Sequence, residues 1–255
     1  MLPRAVRLSE SFLLSLAGWL TALKPRDLLE GALAEGRRWL LEPEAKELCR
    51  LIGLPTPRFK VASSLDEAVA AAEELGYPVA LKVVSPDVVH KSEVGGVALN
   101  LSGRRSLEEA YLKVVGCLKA KLPKARLVGV LVEEMLKPGL EVALGLVRDA
   151  QFGPAVMFGL GGAMLELYKD VSFRLAPLSV DDARSLIADT KVGRLIEGFK
   201  GYPQRDVDAL VEAILKLSRL GVEEELVEQV DLNPFILYER GAAAADAKVA
   251  VARVR

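Results

Sequence analysis

Residues 80–101 read ALKVVSPDVVHKSEVGGVALNL, and this stretch decides the fold. It opens in an apolar strand, Val79 to Val84, that carries Lys82, and it turns through Ser85-Pro86-Asp87. It then presents His90, the single histidine of the chain, and reaches the glycine pair Gly95-Gly96 before a second strand returns from Val97 to Leu101. A strand, a loop with adjacent glycines and a strand can lay backbone N–H groups over phosphate oxygens, because glycine lets the backbone approach closely. Lys82 would add a point charge for phosphate, and His90 a nitrogen nucleophile or general base. A glycine pair alone often marks only a hairpin. The lysine, the histidine and the glycine pair in one short stretch point to a phosphate site.

The flanks supply a lobe around this stretch. Upstream, Pro43 suits the first turn of a helix that Gly53 stops, with Ala45, Leu48, Leu51 and Ile52 at helical spacing. An extended Leu54-Pro55-Thr56-Pro57 linker, a short strand Phe59–Ala62, and a helix opened by Ser64-Leu65-Asp66-Glu67 and ended by Gly76 follow. Downstream, Ser106-Leu107-Glu108-Glu109 reads as a second capping box, with a helix to about Lys121. The order β-α-β-loop-β-α predicts one compact lobe with a mixed sheet. Residues 1–40 read as helix. Their apolar run from Phe12 to Leu23 contains Trp19, with Trp39 further on, and is closed by the charged Lys24-Pro25-Arg26-Asp27. It is too short to span a bilayer and lacks a leader's cleavage pattern, so it reads as a docking extension.

Two long strands follow, Val128 to Met135 and Leu140 to Val147, with Lys137-Pro138-Gly139 as the turn. Glu133, Glu134 and Glu141 cluster beside that turn, either as a solvated rim or as a hinge where a strand meets an adenine edge and an acid holds ribose hydroxyls. Beyond a strand over Pro154–Phe158 lies the cluster Gly159-Leu160-Gly161-Gly162, followed by Glu166 and Arg174, which read as an ion pair or as phosphate contacts. Ser179 and Asp206 each open a helix. A strand from Leu226 to Val230 delivers Asp231-Leu232-Asn233-Pro234, and an alanine-rich strand ends at Asp246-Ala247-Lys248. Antiparallel pairing would bring Asn233 and Asp246 together, either in a plain hairpin or as oxygen ligands suited to Mg²⁺.

Composition narrows the function classes. The chain of 255 residues is 51% apolar and 27% charged, with a formal charge of −1 and no basic cluster interleaved with aromatics, which argues against nucleic acid. Cys49 and Cys117 have neither metal-ligand nor disulfide-framework spacing, which fits a reducing cytoplasmic interior. Asn100 and Asn233 are the only asparagines, and so few thermolabile amides hint at a thermophile.

The segments LKVVSPDVVHKSEVGGV, VLVEEML, GLGGAMLELYKDVSFRLAPL and VDLNPFIL, in this order, resemble the β subunit of archaeal ADP-forming acetyl-CoA (acyl-CoA) synthetases, over about residues 40–255. The resemblance implies an α/β ATP-grasp fold, with two lobes clasping a nucleotide: 41–130 with the phosphate loop and 131–255 with the Mg²⁺ site, after the 1–40 extension. It implies ATP/ADP and Mg²⁺ as cofactors, with Lys82 on the phosphates, Gly95, Gly96 and Val97 in the phosphate loop, and His90 as a transient phosphate carrier. Glu133 and Glu134 match the adenine hinge, Glu141 a ribose contact, Asn233 and Asp246 the Mg²⁺ ligands, and Asp231 an acid near the phosphohistidine. Glu166 and Arg174 fall in the glycine-rich segment without a definite role. The implied reaction is acyl-CoA + ADP + phosphate ⇌ carboxylic acid + CoA + ATP. No G-x-G-x-x-G turn follows an early strand, so the CoA and acyl-phosphate chemistry is expected on a separate α subunit, in an α2β2 assembly. The alternatives are a stand-alone ATP-grasp carboxylate–amine ligase and a non-catalytic nucleotide-binding assembly subunit.

Overall fold

The computed structural model describes residues 23–162 and 167–252. Most of the expected N-terminal helix, including Trp19, lies outside the described residues, as does Glu166. Helix α1 spans Pro25–Ala34, with Pro25 in its first turn and Asp27 accepting the Lys24 N–H. The chain does not stay helical to residue 40 as expected. Gly36 takes φ +73°, and residues 38–40 then run as an extended edge, with Trp39 bridging Ala250 and the Leu40 N–H donating to Val249 O at 2.9 Å. Helix α2, Glu42–Leu51, ends where Gly53 takes φ +80°, the left-handed conformation that glycine adopts most readily.

The described residues form two compact units, one of residues 41–43 and 57–137, the other of residues up to 40, 44–56 and from 138 onward. The first holds β1 (Phe59–Ala62), α3 (Leu65–Leu75), β2 (Val79–Val84), β3 (Val97–Leu101), α4 (Arg104–Lys121) and β4 (Gly129–Glu134). Ser64 caps α3 by accepting the Glu67 N–H. Helix α4 begins three residues earlier than expected, because Ser106 sits inside the first turn and accepts the Gly103 N–H. The sheet order is β1-β4-β2-β3, and every ladder is antiparallel, which corrects the mixed sheet expected from the element order. The reason is that β4 inserts between β1 and β2 and so keeps those two co-directional strands apart. Helix α4 packs Leu107, Ala110, Val114 and Leu118 on β2 and β3, and α3 packs its alanine face on β1 and β4. Fully burying a leucine such as Leu107 contributes about 1.5–3 kcal/mol.

The second unit holds β5 (Leu140–Asp149), β6 (Gly153–Leu160), β7 (Val171–Leu175), α5 (Val180–Ala188), α6 (Lys191–Ile196), α7 (Val207–Glu223), β8 (Val227–Leu237), β9 (Ala242–Ala244) and β10 (Lys248–Val251). Its sheet runs β10-β8-β5-β6-β7, with β9 also beside β8, and all ladders are antiparallel. Lys137-Pro138-Gly139 is therefore not a hairpin turn, since β4 and β5 belong to different sheets. Leu210, Ile214 and Leu217 of α7 join Val142, Leu144, Val156 and Phe158 in the core. Asp206 caps α7, accepting the Ala209 N–H on one oxygen and the Gly241 N–H on the other, and these bonds hold its carboxyl below the usual range. Asp170 accepts the Lys191 and Val192 N–H groups at the start of α6, so that part of the glycine-rich segment has a structural duty. Cys49 is buried, and burial pushes its thiol pKa up to about 12, which leaves it inert rather than reactive. Among the described residues, no helix is long and apolar enough to cross a membrane.

Glu224 closes α7 with its Oε2 buried and without a hydrogen bond, the Arg26 guanidinium standing 3.7 Å away. Burial raises its pKa, Arg26 partly opposes that, and Glu223 adds to it. An acid whose folded pKa lies above its unfolded value penalises folding once pH exceeds the unfolded value, and the penalty is absent below it. Glu224→Gln should therefore raise Tm at neutral pH. The gain should vanish as pH falls below the ordinary glutamate range, and thermal melts across pH check both signs.

Candidate functional site

In the β1–β4 unit the site grows from β2. Alternation along β2 sends Val79, Leu81 and Val83 into the core and Lys82 to the sheet's other face, where the side chain is still only 9% exposed. A buried ammonium needs partners. Lys82 Nζ has two, Glu42 Oε1 at 2.7 Å and Glu133 Oε1 at 2.8 Å. Glu133 comes from β4, two residues along from Leu131, the partner of Lys82 on that strand, and so on the same face. The second oxygen of Glu42 lies 3.0 Å from Lys91 Nζ. Two lysines and two glutamates thus alternate in a buried network.

The solvated-rim reading of the acids therefore fails for Glu133, which is a buried counter-ion. Glu134 lies nearer the surface, where its carboxylate accepts from Arg58 Nε at 2.6 Å and its N–H donates to Arg58 O. The passage from one unit to the other falls just after this pair, between Lys137 and Pro138.

The loop after β2 is fixed at its shoulders. Val88 is buried in the unit's core, and Asp87 Oδ2 accepts the Arg126 N–H at 2.7 Å. His90 stands exposed at the far side. The glycine pair closes the loop tightly: a side chain at Gly96 would meet Val83 Cγ2 at 2.5 Å, and Gly95 takes φ +73°. Gly95 N–H donates to Ser92 O and Gly96 N–H to Lys91 O, so both N–H groups are engaged within the loop rather than held open. Val97 begins β3 opposite Lys82.

The β5–β10 unit carries the other candidates. Here Gly162 is the centre. It takes φ +63°, its Cα lies against the Glu141 carboxylate, and its N–H donates to Asn233 Oδ1 at 2.7 Å. Gly159 and Gly161 have steric reasons of their own, since a Cβ would come within 2.4 Å of Asp170 O and within 2.5 Å of the Val142 carbonyl. The expected alanine-rich strand is shorter than expected. β9 stops at Ala244, and Asp246 sits in the bend before β10. Phe235 pairs with Ala244 and Asp231 with Lys248, so continuing either register sets Asn233 opposite Asp246. Asp231 Oδ2 lies 3.4 Å from Lys248 Nζ. Arg174, on the edge strand β7, is engaged by Ser185 and Asp189. Among the described residues, no group of three or more His, Cys, Asp or Glu side chains is placed to hold a metal.

A model of the ATP-grasp domain matches residues 31–251. The chain is 43% identical over 226 residues to the acetate–CoA ligase (ADP-forming) I subunit beta of Pyrococcus furiosus, covering 89% of this chain and 97% of that one. The chain belongs to the ATP-grasp family of ADP-forming acetate–CoA ligase β subunits. Among solved structures it superposes with TM-score 0.87 and 45% identity on the dinucleotide-forming acetyl-coenzyme A synthetase 1 of Ca. Korarchaeum cryptofilum, solved with coenzyme A, Ca-AMPCP and HgCl+. That match covers 90% of this chain and 100% of the other. It is also 41% identical to acetate–CoA ligase (ADP-forming) I of Archaeoglobus fulgidus, where it covers 88% of this chain but spans only 32% of that protein.

Sequence reasoning overlooked three residues that stand beside the candidate ones, Glu42 and Lys91 in the β1–β4 unit and Lys248 in the β5–β10 unit. Lys91 and Lys248 were visible as neighbours of singled-out residues, His90 and Ala247-Asp246. Glu42 gave no local signal beyond standing at a helix start, because its partners lie far along the chain.

Proposed function

We propose that this chain is the nucleotide-binding β subunit of an ADP-forming acyl-CoA synthetase, and that it moves a phosphoryl group between His90 and a nucleotide. The observation that supports it most is the placement of Lys82, buried and flanked by carboxylates, on the strand that leads directly into the loop presenting His90. Lys82 would hold phosphate oxygens, exchanging one of its carboxylate partners for them. The lone pair of neutral His90 imidazole would attack the γ-phosphorus of ATP. The P–N bond forms as the bridging P–O bond breaks, and the electron pair leaves with ADP. Run backwards, the same step makes ATP from ADP. Phosphoryl transfer of this kind needs mainly positioning and charge neutralisation.

In the β5–β10 unit we assign Glu141 to the ribose and Asn233 with Asp246 to Mg²⁺. Two oxygen donors set opposite one another suit that ion, which typically binds through one or two side chains plus phosphate oxygens. Bound there, Mg²⁺ would supply charge neutralisation to those oxygens. Gly162 N–H orients the Asn233 side-chain oxygen. Asp231, with Lys248 beside it, would steady the phosphohistidine. Glu133 and Glu134 would adjoin the adenine, Gly95, Gly96 and Val97 would shape the loop, and Glu166 and Arg174 are assigned no definite role. The acyl and CoA chemistry belongs to an α subunit, in keeping with the Archaeoglobus relative, of which this chain matches about a third. From Pro25 on, the expected N-terminal extension packs on this chain's own core through Leu28, Leu29 and Ala32, and the α subunit would join this chain in an α2β2 assembly.

The test is to combine this chain with its α subunit, supply [γ-³²P]ATP and Mg²⁺, and look for acid-labile, base-stable label on each subunit. Label on this chain that disappears in His90→Ala is the expected result. Label confined to the α subunit at an unchanged rate in the variant would remove the two-histidine relay. No label on either subunit, with carboxylate–amine ligation intact, would favour the ligase alternative.

A further inference from the structure

Lys91 is the inward-pointing residue of an otherwise solvated tip. Its neighbours His90, Ser92 and Glu93 are exposed, yet its own side chain is only 10% exposed. Lysine is rarely buried unless paired, and the partner here is Glu42 Oε2 at 3.0 Å. Glu42 is itself 1% exposed and holds Lys82 with its other oxygen at 2.7 Å. It is the first residue of α2, where the helix dipole favours an acid. One carboxylate therefore ties a fixed strand lysine to a loop lysine, one oxygen for each.

We propose that Glu42 is a positioning residue that sets the reach of His90 through Lys91. The backbone at Lys91 is held from two sides. Its carbonyl accepts the Gly96 N–H at 2.8 Å, and its ammonium is drawn to Glu42. His90, one residue earlier, is held at its own side only by the Asp87 and Val88 anchors. Without the ion pair, the segment between Val88 and Gly95 keeps its shoulders and the bonds to the Lys91 and Glu93 carbonyls, and loses the side-chain tether next to His90. The imidazole would then sample positions out of line with the phosphorus. Glu42 and Lys91 need touch neither nucleotide nor phosphate for this effect.

This inference rests on reading His90 as the phosphate acceptor, and the experiment separates the two. In the complex reconstituted with its α subunit, the first-order rate of labelling on this chain is measured by rapid quench, and nucleotide affinity by titration with a fluorescent ATP analogue. Lys91→Met should slow labelling roughly 10–100-fold, as small misplacements of a reacting group do, with affinity within about threefold of wild type. Lys91→Arg, which keeps a cation for Glu42, should restore the rate. If Lys91→Met does not fold, Lys91→Gln carries the same comparison without charge. Wild-type labelling in the neutral variants would overturn the positioning role, and so would a loss of rate and affinity together that arginine does not rescue. Wild-type complex that takes no label on this chain would instead sink the His90 reading, and the tether with it.

Discussion

Lys82→Ala should damage the protein twice, in rate and in stability, and the two losses have separate causes. Its ammonium sits between Glu42 and Glu133, whose side chains are 1% and 5% exposed. Removing one partner of a buried ionic cluster leaves uncompensated charge in a poorly solvated place, which typically costs about 3–5 kcal/mol. Lys91 remains beside Glu42, so the lower part of that range is expected. The loss of a preorganised positive group at the transferring phosphoryl should slow the reaction by roughly 10²–10³. Lys82→Met keeps most of the buried stem, and so separates lost packing from lost charge. Urea melts and single-turnover phosphoryl transfer read the two effects independently. A melt unchanged by either substitution would mean that the glutamates are satisfied without the lysine.

Glu44→Ala should be strongly destabilising, although Glu44 stands outside the Lys82 network. Arg37 and Glu44 form a two-pronged pair, Nη1 to Oε2 at 2.7 Å and Nη2 to Oε1 at 2.9 Å, with side chains 8% and 7% exposed. Burial pulls the guanidinium toward neutrality, but the hydrogen bonds and charge of Glu44, helped by Glu35, outweigh it and hold the pKa above its ordinary value. Without Glu44 the arginine keeps its charge with only the more exposed Glu35 and the Trp39 carbonyl as partners. A drop of about 3–5 kcal/mol in unfolding free energy is expected. Glu35→Ala removes the outer partner, which water can replace, and should cost about 1 kcal/mol or less. Guanidinium-free urea melts of the two variants give the contrast, and equal losses would refute this division of labour.

What the sequence revealed, and what it concealed, divides along a physical line. Helix ends were legible wherever one residue type does one job, as at Ser64, Ser179, Asp206 and Gly53. Lys82 was legible because a lysine in a continuous apolar strand contradicts its surroundings. The antiparallel first sheet was concealed, because β4 enters between β1 and β2 from far downstream and nothing local announces it. Glu133 read equally as a solvated rim acid or as a hinge residue, and only its pairing with Lys82 across the strands shows it buried. Glu42 could be read only once the loop lysine and the strand lysine were seen on its two oxygens. The glycines at 159, 161 and 162 suggested a turn, while the structure gives each a different neighbour: β7, β5 and the Glu141 carboxylate.

Strand β8 bears on the time at which the β5–β10 unit becomes competent. It carries Asp231 and Asn233, and its partners are β5, where Leu140 meets Leu237, together with β9 and β10 near the C-terminus. Of these, the β5–β8 ladder joins segments far apart in the chain, and such remote pairings must overcome loop-closure entropy before they gain contacts, which makes them slow, whereas β9 and β10 follow β8 closely. Asn233 and Asp246 are close in sequence, so β8, β9 and β10 can gather their oxygens locally, but β8 joins the rest of its sheet only by closing the long span back to β5. The β1–β4 sheet around Lys82 closes over shorter spans, so it can form before the β5–β8 ladder completes the other sheet.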